Sequence, residues 1–325
     1  MLNLLSLRGV IRSTGAALLL ILSGSSAAWA GSVIAYNDCA HYLASDEVKS
    51  WEPEGKWTPL AGKARGIAIL VHGLTMNPTK LDPLASELNH LDIATYRIKL
   101  RGHNGNLQEL NATDPEDWMN ELFTEYCHAR ALADHRKIPL FLMGHSMGGL
   151  LVERLLNAAT LYPTTKEHIR IDGAVLLAPS IMSSKDAPWA WDWRFALSAG
   201  NSLVRNLTHS KPPLQGYLLH DYNEPLDKLN HMVDEADELH TKGFKDSNIP
   251  TLILVHSQDP TADLDGYRKI QETFHLTHWD VRKIDSATNS GDAPMPHIIV
   301  DQESSGRAWS TELEWIKEYI SKLLE

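Results

Sequence analysis

The chain has 325 residues, 43% of them hydrophobic and 22% charged, which suits one large globular core. Its 41 acidic residues outnumber 30 basic ones and leave a formal charge of −11. No basic run offers a footprint for nucleic acid, so the composition argues against a polyanion binder and the acidity reads as solubility.

Residues 1–30 stand apart. Arg8 and Arg12 precede the apolar run Ala16–Leu22, and small residues follow up to Ala28-Trp29-Ala30. That order reads as a secretory signal peptide cleaved near Ala30, which predicts a secreted or periplasmic mature protein starting at Gly31. The apolar run is too short to span a bilayer, which weighs against an uncleaved membrane anchor. The residue directly after the cleavage site is Gly31, not cysteine, which argues against a lipoprotein. Export would permit a disulfide between Cys39 and Cys127, the alternative being two unpaired buried thiols.

Residues 31–65 read as an irregular lead-in with room for a short hairpin. Ile67–Val71 is a continuous apolar run, as expected of a strand buried on both faces, and it ends at His72-Gly73. Pro78–Leu91 carries Leu81, Leu84, Ala85 and Leu88 at helical spacing. Ile93–Ile98 is a second strand, closing on Arg101-Gly102-His103. A helix is predicted over Pro115–Asp134, with Asp114 as N-cap and Pro115 in the first helical position. Further strands are predicted at Ile138–Met143, Ile171–Leu177, Thr251–Val255 and Val281–Ile284, with helices from Met147 to about Ala159 and from Thr311 to Leu324. Alternating strands and helices predict a mostly parallel sheet with helices on both faces and function at the carboxyl ends of its strands. Residues 31–325 form one domain on this reading. The stretch from about 180 to 248 breaks the alternation and is expected to be an inserted lid.

Gly144-His145-Ser146-Met147-Gly148 fits G-x-S-x-G, with a buried strand before it and an apolar helix after it. The motif needs that context. A sharp strand-to-helix turn lifts the serine hydroxyl above the sheet and points the next amide at the same spot. Ser146 is therefore the candidate nucleophile, and the Met147 N–H is one candidate oxyanion donor. The second should come from the loop after the first strand, where His72-Gly73-Leu74 nominates the Leu74 N–H.

A serine hydroxyl needs a histidine to take its proton and a carboxylate to orient that histidine. On this elbow the chain order is serine, acid, histidine. Asp259 lies just beyond the Thr251–Val255 strand and is the favoured acid, while Asp263 and Asp265 fall where helix capping is the ordinary job. Of 16 histidines, His297 follows the last predicted strand on a long loop and is the candidate base. His275 and His278 precede that strand and lie at its wrong end, and His256 is too near the acid.

His72-Gly73, Arg101-Gly102-His103, Gly144 to Gly149, Asp259 and His297 together resemble the α/β-hydrolase superfamily. Within it the chain is most similar to the monoacylglycerol lipase, lysophospholipase and carboxylesterase group, the serine aminopeptidase S33-type hydrolases. The resemblance covers about Gly66 to Leu324. It implies the α/β-hydrolase fold and ester hydrolysis by a Ser146, Asp259 and His297 triad, with Leu74 and Met147 as oxyanion donors. It also implies that Arg101-Gly102-His103 supports the site without reacting. The sequence departs from the group at Asp259-Pro260 and at His297-Ile298, where a Glu more often follows the histidine.

Trp189, Trp191, Trp193, Phe195 and Leu197 make the insertion aromatic. That suits a wall for an acyl chain or transient contact with a lipid interface, and equally suits packing of the insertion onto the core. A short- to medium-chain acyl ester is the expected substrate. An amidase or thioesterase using the same triad, and a silent hydrolase-fold binding protein, are the alternatives. Epoxide- and haloalkane-opening relatives need an aspartate nucleophile, and position 146 is serine. The mechanism calls for no cofactor and no metal, and no metal-ligand motif is found.

Overall fold

The computed structural model describes residues 39, 55–58, 64–162, 165, 168–183, 216–219, 226–259, 261–285 and 295–325. The chain divides into a first unit, Met1–Ile34, outside the described residues, and a second, Ala35–Glu325, which holds every element below. The expected leader and the aromatic stretch 189–197 therefore lie outside the described residues, as does much of the insertion.

Seven strands form one sheet: β1 (Lys56–Thr58), β2 (Gly66–Val71), β3 (Ile93–Arg97), β4 (Leu140–His145), β5 (Gly173–Leu177), β6 (Thr251–His256) and β7 (Trp279–Ile284). Their order is β1-β3-β2-β4-β5-β6-β7. β2 to β7 run parallel, and β1 pairs antiparallel with β3. Among the described residues the lead-in supplies β1, whose Lys56 and Thr58 pair with Arg97 and Thr95. Every residue of β2 to β6 is buried, as helices covering both faces require, and the strands are apolar apart from Thr95, Arg97, His145, Thr251 and His256.

The helices that matter here are α1 (Asp82–Asn89), α2 (Pro115–Arg136), α3 (Met147–Leu156), α4 (Leu226–Lys242), α5 (Leu264–Thr273) and α6 (Trp309–Leu323). The expected helix from Pro78 begins instead as a 3-10 turn, Pro78–Leu81, because Pro83 has no N–H to return to Thr79. α2 starts where the sequence predicts, with Asp114 and Asp117 exchanging bonds in a capping box. Among the described residues no helix is long and apolar enough to cross a membrane.

Cys39 and Cys127 are joined by a disulfide that ties the lead-in to α2 across 88 residues. Closing a loop of that length removes unfolded-state freedom equivalent to about 4 to 5 kcal/mol in the chain-entropy estimate. The double variant Cys39→Ser, Cys127→Ser is expected to lose a large part of that stability in equilibrium denaturation. An unchanged denaturation midpoint would argue that the thiols are not joined in the folded protein.

The parallel register brings the carboxyl ends of five strands to one edge. Val71 pairs with Gly144, His145 with Leu177, and His256 with Ile284. The loops after β2, β4, β5, β6 and β7 consequently share one rim, and the site is built there.

Candidate active site

Ser146 sits between β4 and α3 with φ 50° and ψ −117°, a region that L-residues rarely adopt. Two glycines let the backbone close around it. A Cβ on Gly148 would collide with the Val71 carbonyl oxygen and lie 2.8 Å from the His72 carbonyl oxygen. A Cβ on Gly73 would stand 2.9 Å from His145 Nδ1 and 3.2 Å from Ser146 Cβ. The elbow and the loop after β2 can therefore touch only because both positions lack side chains.

The Ser146 hydroxyl donates to His297 Nε2 at 2.9 Å, and His297 Nδ1–H donates to Asp259 Oδ2 at 2.9 Å. These are the three residues nominated by chain order. The Asp259 side chain is fully buried, and its other oxygen accepts the amides of Thr261 and Ala262 at 2.8 and 2.9 Å. The Thr261 hydroxyl also donates to Asp259 Oδ1 and stands 2.9 Å from His297 Nδ1. Burial raises the Asp259 carboxyl, but His297 and the two amides outweigh it and hold the group below its ordinary value. Asp259 is thus an acceptor at neutral pH, which keeps the His297 proton on Nδ1 and leaves Nε2 free to take one.

The other acid candidates have ordinary work. Asp263 caps α5 by accepting from Asp265 and Gly266 amides, and Asp265 is exposed. His275 and His278 are both exposed near the start of β7, away from the rim.

Leu74 and Met147 are buried where the loop after β2 meets the amino end of α3. Among the described residues neither backbone amide donates to an acceptor. The loop carrying Leu74 is set by two neutral histidines. His72 Nδ1–H donates to the Gly73 carbonyl and its Nε2 accepts the Leu100 amide. His103, from the Arg101-Gly102-His103 segment, accepts the Thr75 amide on Nε2 and donates to the Arg101 carbonyl. Burial, then the neighbouring His103, lowers the His72 pKa well below its usual value, so it stays neutral and can accept.

Three contributors have contacts that the sequence reading does not assign. His145 donates from Nε2 to the His297 carbonyl at 2.8 Å and so ties the elbow to the histidine loop. Burial, with His297 beside it, pushes His145 down to about 3, and it holds this bond as a neutral ring. Ser180, just past β5, lies 3.2 Å from Ser146 Oγ. The Ser146 proton points at His297, so Ser180 is the donor and aims its O–H at the oxygen that would lose that proton. Thr261 steadies the acid. His145 stands inside the quoted elbow motif, which gives no hint of its partner, and Ser180 and Thr261 are marked only by lying just past the carboxyl ends of β5 and β6.

Away from the rim, Glu116, His231 and Glu235 bring ligand-type atoms within 4.8 Å of one another. Arg154 reaches the same group, 3.1 Å from Glu235 and 2.9 Å from Glu238. Its guanidinium supplies the counter-charge there, so the cluster reads as a buried ion-pair network.

Residues 62–286 match the family described as "Serine aminopeptidase, S33". The monoglyceride lipase of Rattus norvegicus is 26% identical over 160 residues, which span 47% of this chain and 47%, about half, of that one. A soluble variant of the monoglyceride lipase of Saccharomyces cerevisiae superposes with a TM-score of 0.61 at 16% identity, covering 85% of this chain and 96% of that one. The monoacylglycerol lipase of Paleococcus ferrophilus superposes with a TM-score of 0.52 at 18% identity, over 82% and 99% of the two chains. A carboxyl esterase from Bacillus coagulans gives 0.57 at 14% identity, over 83% and 93%. At these identities the structural likeness speaks for the fold.

Proposed function

Because the chain belongs to the serine aminopeptidase S33 family of α/β hydrolases, we propose that it cleaves carboxylic esters by an acyl-enzyme route with Ser146 as nucleophile. The observation that carries this reading is the unbroken series Asp259, His297, Ser146, each link 2.9 Å long, with the Leu74 and Met147 amides nearby donating to no acceptor among the described residues.

On this proposal, Ser146 Oγ attacks the ester carbonyl carbon while its proton passes to His297 Nε2. The carbonyl oxygen becomes an anion beneath the Leu74 and Met147 amides, each worth on the order of 3 kcal/mol to the transition state. The C–O bond then breaks, and His297 returns the proton to the departing alcohol. Water attacks the acyl-enzyme with its proton going to His297, a second oxyanion forms and collapses, and the acid leaves with Ser146 restored. The Ser180 O–H stabilises Ser146 Oγ whenever it carries negative charge. No step draws on a metal or cofactor.

The names of the rat, yeast and Paleococcus proteins make monoacylglycerols, alongside short- and medium-chain esters, the first substrates to test. The decisive experiment is fluorophosphonate labelling of the folded protein, with turnover of a series of monoacylglycerols and p-nitrophenyl esters against matched amides and thioesters. Labelling at Ser146 with ester turnover supports the proposal. A folded protein that neither labels nor turns over would be a binding protein on a hydrolase frame. We further propose export, with cleavage after Ala30; N-terminal sequencing of the mature protein should begin at Gly31.

A further inference from the structure

We propose that Tyr217 is a positioning residue of this site, clamping the loop that carries Leu74 to the loop that carries His297. The inference rests on the reading above, in which Leu74 supplies an oxyanion amide and His297 the base.

The loop after β2 holds an unfavourable backbone. Thr75 is buried, β-branched and left-handed, with φ 57°. Such a residue relaxes to ordinary angles unless its peptide groups are held. On one side the hold comes from the core, through the Thr75 amide and His103. On the other side it comes from residues 216–219. Leu219 N–H donates to the Thr75 carbonyl at 2.7 Å, and Asn77 N–H donates to the Tyr217 carbonyl at 2.7 Å. Met76 and Leu218 pair between them in an antiparallel bridge. Residues 216–219 therefore lie along the loop like an added strand, and they hold the 75–76 and 76–77 peptide groups just beyond Leu74.

Tyr217 anchors this segment. The side chain is fully buried, and its hydroxyl lies 2.7 and 2.9 Å from the two oxygens of Asp301. Asp301 stands four residues after His297 and is itself fixed, accepting the Ser304 amide at 2.8 Å. Glu303 Oε2 lies 3.0 Å from the same hydroxyl. A phenol has one hydrogen, so the donated bond goes to Asp301, and Glu303 is held instead by Lys80 at 3.2 Å. Lys80, 3.9 Å above the Tyr217 ring, returns the contact to the segment just beyond the oxyanion loop. One side chain thus joins three elements that must keep a common geometry: the loop after β2, the tetrapeptide, and the chain after His297.

Tyr217→Phe keeps the ring, its burial and its contact with Lys80, and removes only the hydroxyl. The variant is expected to lower kcat about tenfold on a short-chain ester with KM within twofold. A trifluoromethyl ketone, whose adduct with Ser146 carries an oxyanion, should bind the variant about tenfold more weakly. Asp301→Asn, which keeps an oxygen for the Ser304 amide, is expected to give a smaller change in the same direction, and it serves if Tyr217→Phe fails to fold. Loss of thermal stability with unchanged kcat and ketone affinity, measured well below the melting midpoint, would make Tyr217 a packing residue and overturn the inference. If the unaltered protein neither turns over esters nor labels with a fluorophosphonate, the underlying reading falls first and this one with it.

Discussion

Ser146→Ala is expected to reduce ester kcat by about a millionfold, because the nucleophile and its base act as a unit and removing either loses the whole covalent route. The fold should be untouched. Alanine keeps the Cβ that the elbow already accommodates at φ 50°, and among the described residues the hydroxyl's partners are His297 and Ser180, both on the rim. What remains is the turnover that two oxyanion amides give to water, roughly a thousandfold over the uncatalysed rate. The measurement is kcat on a p-nitrophenyl ester together with the thermal midpoint. Retained turnover in a folded variant would refute the assignment of Ser146.

Asp259→Asn is expected to cost about four orders of magnitude in kcat with little change in KM, and the reason is specific to this pocket. Asp259 Oδ1 accepts three donors: the Thr261 amide, the Ala262 amide and the Thr261 hydroxyl. An asparagine must put its carbonyl oxygen there, because its NH2 group would face three hydrogens. The NH2 then turns toward His297 Nδ1 and demands a lone pair from it. His297 must carry its proton on Nε2, pointing at Ser146, and can no longer accept one. Asparagine cannot rescue itself by flipping. A variant that retained more than about a hundredth of the activity would show that His297 is oriented by something other than this carboxylate, and Thr261 would be the next group to test.

Much of this arrangement was legible in the sequence because its causes are local. Strands buried on both faces are largely apolar runs, as are Gly66–Val71 and all but the polar end residues of Leu140–His145 and Thr251–His256. Helix starts are written in single residues, as at Asp114 before Pro115. The elbow is legible because Gly144 and Gly148, two residues to either side of Ser146, have no room for a Cβ. Chain order then selected Asp259 and His297, which the fold brings within hydrogen-bonding reach of each other and of the serine.

What was not legible is whatever depends on meetings between distant segments. His145 reaches a carbonyl 152 residues away, and Ser180 reaches Ser146 across 34. Tyr217 meets Asp301 across 84. No periodicity or spacing encodes these pairs. The short helix Leu107–Ala112 was missed for a different reason. Its stop and start signals fall within two turns, and only the Asn106 side chain, capping Gln108 and Glu109, marks it.

The distribution of the reactive groups along the chain also bears on how the protein comes into being. The serine lies near the middle of the sequence, the acid well after it, and the histidine near the end. The central strands β2, β4 and β5 can enclose the elbow with no residue beyond Leu177. A chain that has folded only so far has its serine in the strained turn but nothing to withdraw the proton. The base docks only when the segment after β7 closes, sealed by His145 holding the His297 carbonyl. On the proposed mechanism, a copy in which the segment after β7 has not docked would lack the base that Ser146 needs and would stay inert toward esters.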